Sequence, residues 1–125
     1  MAITHTKSKR KASGGRYVSY RGKRKFELAS NPTFTVIGGK KNVKVRILGK
    51  NFKFRLLQAN EANLYNPKTK TYSKAIIKTV LENPANRHYA RRGILTKGTI
   101  VETDKGKARV LNSPGRENNI NAVLI

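Results

Sequence analysis

The chain has 125 residues, with 28 Lys or Arg against 6 Asp or Glu, a formal charge of +22 and an isoelectric point near 11.0. It contains no Cys, which excludes disulfides, cysteine-ligated zinc and thiol nucleophiles, and no stretch nears the roughly 18 apolar residues of a membrane span. Charge of one sign repels itself in a compact state, so an anionic partner is expected: nucleic acid, an acidic membrane surface or an acidic protein.

Residues 1–30 read as an extended basic arm, disordered without its partner. Lys7, Lys9, Arg10, Lys11, Arg16, Arg21, Lys23, Arg24 and Lys25 precede the first acid, Glu27. Apolar side chains are sparse there (Ile3, Val18 and the rings of Tyr17, Tyr20 and Phe26), too few to offset the entropy of ordering. The segment opens without an apolar stretch of the secretory kind, so a soluble, cytosolic protein is expected. A plain solvated tail would need only charge. This arm also carries Gly14 and Gly15, which admit close backbone approach, and Tyr17 and Tyr20, which can stack on bases or riboses.

From about residue 31 to residue 125 the pattern is β. VKVRIL (43–48) and FKFRLL (52–57) each alternate apolar and basic residues across a turn at Gly49-Lys50-Asn51, the mark of a hairpin. Its apolar face is expected to enter the core. Its other face is expected to gather Lys44, Arg46, Lys53 and Arg55, a single-signed surface that is unfavourable unless an anion meets it. A second hairpin is expected at NLYNPKTKTY, turning at Asn66-Pro67. KAIIKTVL (74–81) reads as a central strand. TIVET (99–103) and KARVL (107–111) flank Asp104-Lys105-Gly106 as a third hairpin. NAVLI (121–125) reads as a closing strand that pairs inside the sheet. The sum is an all-β body, a small barrel-like or strongly curved antiparallel sheet, with one short helix.

That helix is expected within NPANRHYARR (83–92), with Asn83 as N-cap, Pro84 in the first turn and Gly93 as C-terminal cap. Helical spacing puts Arg87 and Arg91 on one face, His88 and Arg92 beside them, and Ala85 and Tyr89 toward the core. The stretch reads as a nucleic-acid contact, arginines on phosphate and His88 or Tyr89 against a base or sugar. A catalytic His88 would need an orienting acid. The six acids form no motif such as D-x-D or H-x-E, the other histidine is His5 in the arm, and no phosphate-binding glycine loop or nucleophile elbow is present.

Three strings, SGGRYVSYRGKRKFEL (13–28), KTVLENPANRHYARRGILTKGTIVET (78–103) and KGKARVLNSPGRENNINAVLI (105–125), carry a resemblance over nearly the whole chain. The sequence resembles the archaeal form of the small-subunit ribosomal protein S-eight-e family. The resemblance implies a structural constituent of the 30S subunit, in the cytoplasm, that binds 16S rRNA through the basic arm and one face of the body, beside other 30S proteins. It implies no enzymatic activity, cofactor, metal, membrane or small-molecule substrate. The family's Gly-Gly-Arg falls on Gly14, Gly15 and Arg16, its Tyr-Arg-x-Lys-Arg-Lys on Tyr20, Arg21, Lys23, Arg24 and Lys25, and its Asn-Pro-Ala-Asn-Arg-His-Tyr on residues 83–89. Two positions depart from it: Ala29-Ser30 stands for a usual Gly-Arg, and Gly49-Lys50 for a usual Gly-Gly.

Read from the residues alone, the binding side chains are the arm's cations, glycines and tyrosines, the four hairpin cations, and Arg87, His88, Tyr89, Arg91 and Arg92. Counterion release by many Lys and Arg contacts is the expected mechanism. A chromatin-type DNA-binding protein is the alternative that composition leaves open, and a nuclease using His88 is a third.

Overall fold

The computed structural model describes Thr4 and residues 7–125; Ile3 and His5 lie outside the described residues. The chain divides into two compact units, residues 1–32 and 33–125.

The first unit is built from turns. The N–H of Lys11 donates to the Gly15 carbonyl at 2.8 Å and that of Tyr17 to the Lys9 carbonyl at 2.9 Å, which folds residues 9–17 into a small hairpin. Gly14 sits at its corner with φ +83, a left-handed conformation that glycine adopts without steric cost. A single 3₁₀ turn, Lys25–Glu27, follows. Apart from Thr4, Arg21, Glu27 and Ala29, the described side chains of residues 4–30 are exposed.

The second unit is a barrel with a small sheet. The barrel strands are β4 (Glu61–Asn66), β5 (Thr71–Glu82), β7 (Ile100–Thr103), β8 (Gly106–Val110) and β9 (Asn121–Leu124), closed in the order β4-β5-β7-β8-β9. Neighbours are antiparallel except for β4 and β9, which close the barrel in parallel. The two barrel hairpins and the closing strand expected from sequence are in place. NPKTKT turns β4 into β5, Asp104-Lys105 turns β7 into β8, and β9 lies between β8 and β4. KAIIKTVL is part of the longer β5, a central strand that pairs with β4 along one half and β7 along the other. Register shifts at Ile77/Thr79 and Val80/Glu82 mark bulges that bend β5 so that five strands can close.

The interior follows from a period of two. Val101 and Thr103 point in while Glu102 points out; Ala108 and Val110 point in while Arg109 points out. A five-stranded barrel is narrow, and the sequence meets this by setting alanine against larger residues in register: Leu64 with Ala122, Val101 with Ala108, Val110 with Ala122. Val101, Ala108 and Val110 are fully buried, as close packing requires.

The second sheet has the order β2-β3-β1-β6, from β1 (Thr35–Val36), β2 (Lys41–Arg46), β3 (Phe52–Gln58) and β6 (Ile94–Leu95). The two-residue strands β1 and β6 are too short to show a period and were not expected. Thr35 fastens β1 to β3 by donating its hydroxyl to the Leu56 carbonyl at 2.8 Å. Two short helices complete the unit, α1 (Arg87–Arg91) and α2 (Pro114–Glu117), of which α2 was not expected either.

Two expectations about the 43–57 hairpin are corrected. Its apolar face does not enter the core: all of β2 is exposed, and Phe52 and Phe54 are each 49% exposed. Only Leu56, further along β3, is buried. Nor do the four cations share a face. Val43 pairs with Arg55, Lys44 with Phe54, Val45 with Lys53 and Arg46 with Phe52. Residues directly opposite lie on the same face, so Lys44 and Arg46 stand with the phenylalanines, and Lys53 and Arg55 with the valines. The cause is the turn. Ile47 N–H donates to the Asn51 carbonyl at 2.9 Å and closes an odd number of residues between the strands. A register one residue away would have gathered all four cations on one side.

Candidate nucleic-acid interface

Helix α1 starts later than the sequence implies. Asn83 does not cap it; it is buried, and its amide is a structural brace. Asn83 Nδ2 donates to the Ile94 carbonyl at 3.1 Å, while its Oδ1 accepts from the Ala85 N–H and the Thr96 hydroxyl, each at 3.0 Å. The N-cap is Asn86, whose side chain accepts from the His88 N–H at 2.9 Å. Pro84 and Ala85 are used up in the approach, leaving a helix of 5 residues that ends before Gly93, which has φ +63. Ala85 is exposed rather than core-facing, and Tyr89 is half-buried.

This places Arg87, His88, Arg91 and Arg92 on an exposed surface. Tyr89 packs its ring against Phe34 with centroids 5.4 Å apart, and the Arg92 guanidinium lies 5.9 Å from the same Phe34 ring. Phe34 therefore orients two of the expected contact residues, a part the sequence did not reveal. Tyr89 is held by packing, whereas the arginines remain presented to solvent.

In the first unit, Tyr17 has two ammonium groups near its ring, Lys7 Nζ at 5.2 Å and Lys11 Nζ at 5.5 Å from the centroid. Such contacts are favourable cation–π geometry. They bring two phosphate-seeking charges beside a stacking surface that is still 48% exposed. Tyr20 is 89% exposed, its hydroxyl accepting from Arg21 Nε at 2.7 Å. Arg10 reaches the Gly14 carbonyl at 3.2 Å across the turn. A Cβ at Gly14 would meet nothing within 4 Å, so the backbone there is open to approach. Lys9, Gly15, Arg16, Lys23, Arg24 and Lys25 are exposed as well.

Arg21 is paired with an acid. Its guanidinium holds the Glu27 carboxylate in a two-pronged ion pair. The Arg21 hydrogen bond keeps the Glu27 carboxyl below the usual carboxylate range, against the opposing effect of desolvation, with the Arg24 N–H assisting. The same pairing raises the Arg21 guanidinium above its ordinary value. Three of the other acids are engaged by neutral donors. Glu102 accepts from the Thr79 hydroxyl, Asp104 from the Ile76 N–H, and Glu117 from the Asn112 amide and the Ser113 N–H. Four of the six acids are thus tied up by internal partners, and the excess of cations faces outward.

On the protruding hairpin, Lys44 Nζ stands 3.8 Å from the Phe52 ring centroid. Each face pairs cations with exposed apolar groups, a surface suited to a partner that offers phosphate and base or sugar together. Among the described residues, no group of three or more His or acidic residues gathers to hold a metal. Sequence reasoning also missed the outer face of the barrel, where Tyr65 and Tyr72 lie opposite each other in register with ring centroids 4.8 Å apart. Their equal distance from the NPKTKT turn was the available signal.

Comparison with known proteins adds the family. Residues 4–125 match the family described as Ribosomal protein S8e. The small ribosomal subunit protein eS8 of Sulfolobus acidocaldarius is 51% identical over 93% of this chain and 91% of its own length. The protein of the same name from Picrophilus torridus is 44% identical over 100% of both chains. That from Methanocella arvoryzae is 49% identical over 95% of each.

Proposed function

The chain belongs to the ribosomal protein S8e family, and on that premise we propose that it is a structural constituent of the small ribosomal subunit that binds 16S rRNA. The observation that carries this reading is the division of labour among charges. Four of the six acids are engaged by internal donors or by Arg21, while cations on both units face solvent beside rings. Each cation laid against a phosphate releases condensed counterions, the main source of affinity for a polyanion. The rings of Tyr17 and Tyr20 and the exposed Phe52 and Phe54 supply stacking that duplex DNA offers little of.

The arm of residues 1–30, short of a packed core, orders fully only on RNA. The barrel is the rigid platform, and α1 and the β2-β3 hairpin are its contact elements. The protein works in the cytoplasm, beside other proteins of the subunit, and its part is to hold rRNA in shape rather than to transform a substrate.

Binding of the purified protein to 16S rRNA, in competition with duplex DNA, tests the reading. A clear preference for the rRNA is expected, and removal of residues 1–26 should weaken binding at least tenfold while the barrel keeps its thermal transition. Equal preference for duplex DNA, or full binding without the arm, would contradict it.

A further inference from the structure

On the outside of the barrel, β4, β5 and β9 form a groove of about 630 Å³. Its floor is set by register: Tyr65 opposite Tyr72, Asn63 opposite Lys74 on one side and opposite Asn121 on the other. Leu111 and Val123 line one edge. The volume lies in the range that holds a small organic ligand.

Two features of the groove bear on what it could hold. Tyr72 is 80% exposed although its ring lies beside Tyr65 at an interplanar angle of 36°. One broad aromatic face is therefore open, at a fixed angle, beside a second ring. Asparagine is also unfavourable in strands, yet two asparagines face each other in the lining of the groove. Asn63 Nδ2 donates to Asn121 Oδ1 at 3.1 Å. That single bond leaves the Asn63 carbonyl oxygen able to accept, and the second Asn63 N–H and the Asn121 NH2 able to donate, an acceptor beside donors. This is the complement of a nucleobase edge, which proteins read with side-chain amides.

The charges around the groove are arranged along it. Lys74 is part of the lining, Lys68 and Lys70 stand in the turn beyond the two tyrosines, and Arg109 lies opposite Val123 on β8. The acids Glu61 and Asp104 lie at the other end, near Ile76.

The geometry points to this groove as a pocket for one unpaired nucleotide of RNA, with its base stacked on Tyr72, its edge on the Asn63–Asn121 amides and its phosphate toward Lys74. The assignment rests on the RNA-binding reading above and adds a discrete base-reading site to it. A peptide backbone also carries a donor and an acceptor; the open Tyr72 face beside Lys74 is what favours a base with its phosphate over a peptide.

The test uses the full chain with a labelled hexa-adenylate RNA and the same hexamer carrying abasic sugars. The intact protein should bind the base-containing hexamer about tenfold more tightly, the scale of one stacked base. Tyr72→Ala should narrow that difference several-fold, Tyr72→Phe should keep it, and the side-chain amide signals of Asn63 and Asn121 should shift only with the base-containing RNA. Tyr72 is on the surface, so these variants should retain the barrel, which the amide spectrum checks directly. Equal binding of both hexamers while 16S rRNA still binds would overturn the pocket and leave the RNA reading standing. Loss of all RNA binding would overturn both. An unchanged base preference in Tyr72→Ala would overturn the assignment, and joined to failure to assemble with other subunit proteins it would make the groove a protein dock.

Discussion

Lys44 holds its ammonium 3.8 Å from the centroid of the Phe52 ring although the two residues are not direct partners; Lys44 lies opposite Phe54, and Phe52 opposite Arg46. The contact runs diagonally between strands and requires that cation and ring share a face. Each side of the hairpin therefore offers charge and apolar surface together. The register can be checked covalently, because the chain has no native thiol. Opposite residues have Cα atoms about 4.5–5.5 Å apart, within reach of a disulfide. Val45→Cys with Lys53→Cys should oxidise readily to a cross-link, and Arg46→Cys with Lys53→Cys should not. The reverse result would restore the single cationic face.

The tip of the same hairpin carries a local cost. Gly49 has φ +73, and Lys50, where a second glycine would be expected, has φ +61. A left-handed non-glycine residue costs about 1–2 kcal/mol, partly offset because glycine loses more chain entropy, about 0.4–1 kcal/mol. Lys50→Gly should raise the stability to urea by about 0.5–1 kcal/mol. A fall in stability would mean that the Lys50 side chain makes a contact that outweighs its backbone.

Asn83 and Asn86 separate a brace from a cap. Asn83→Ala leaves the Ile94 carbonyl, the Ala85 N–H and the Thr96 hydroxyl without their partner in a site only 4% exposed. Unsatisfied buried groups cost about 1–3 kcal/mol each, so a loss of at least about 2 kcal/mol is expected in thermal unfolding. Asn86→Ala removes one exposed cap, worth about 1 kcal/mol. Equal losses, or a larger loss at Asn86, would return the helix start to Asn83.

The Arg21–Glu27 pair gives the first unit a pH dependence of known sign. Because the folded carboxyl lies below its ordinary value, the pair's contribution is complete above the usual Glu range near about 4.3. It is lost as the pH falls through the lowered value. A carbon-detected titration of the Glu27 carboxyl should show a midpoint below that range, and Arg21→Gln should bring it back up. A midpoint at or above the ordinary value in the intact protein would dissolve the pair.

Much of the barrel could be read from alternation and turn residues, since Asn66-Pro67 and Asp104-Lys105-Gly106 mark their turns directly. The side of the sheet on which a residue lies was harder to read. Lys53 and Arg55 change faces with a shift of one residue, and the odd span from Ile47 to Asn51 is set by backbone geometry at Gly49 and Lys50. The strands at Thr35–Val36 and Ile94–Leu95 carry no period because they are two residues long. Asn83 presented the signature of a cap but is buried, because the Ile94 carbonyl and the Thr96 hydroxyl, distant in sequence, converge on it. The exposed cations of α1 were legible from charge and spacing, whereas Phe34 and the Asn63–Asn121 pair depend on contacts between distant segments.

The account rests on outward-facing cations taking up rRNA phosphate, and the salt dependence of binding measures this most directly. If six to ten phosphates are contacted, the association constant for 16S rRNA should fall by about a thousandfold or more between roughly 50 and 200 mM salt. An affinity that stays level across that range would contradict the account.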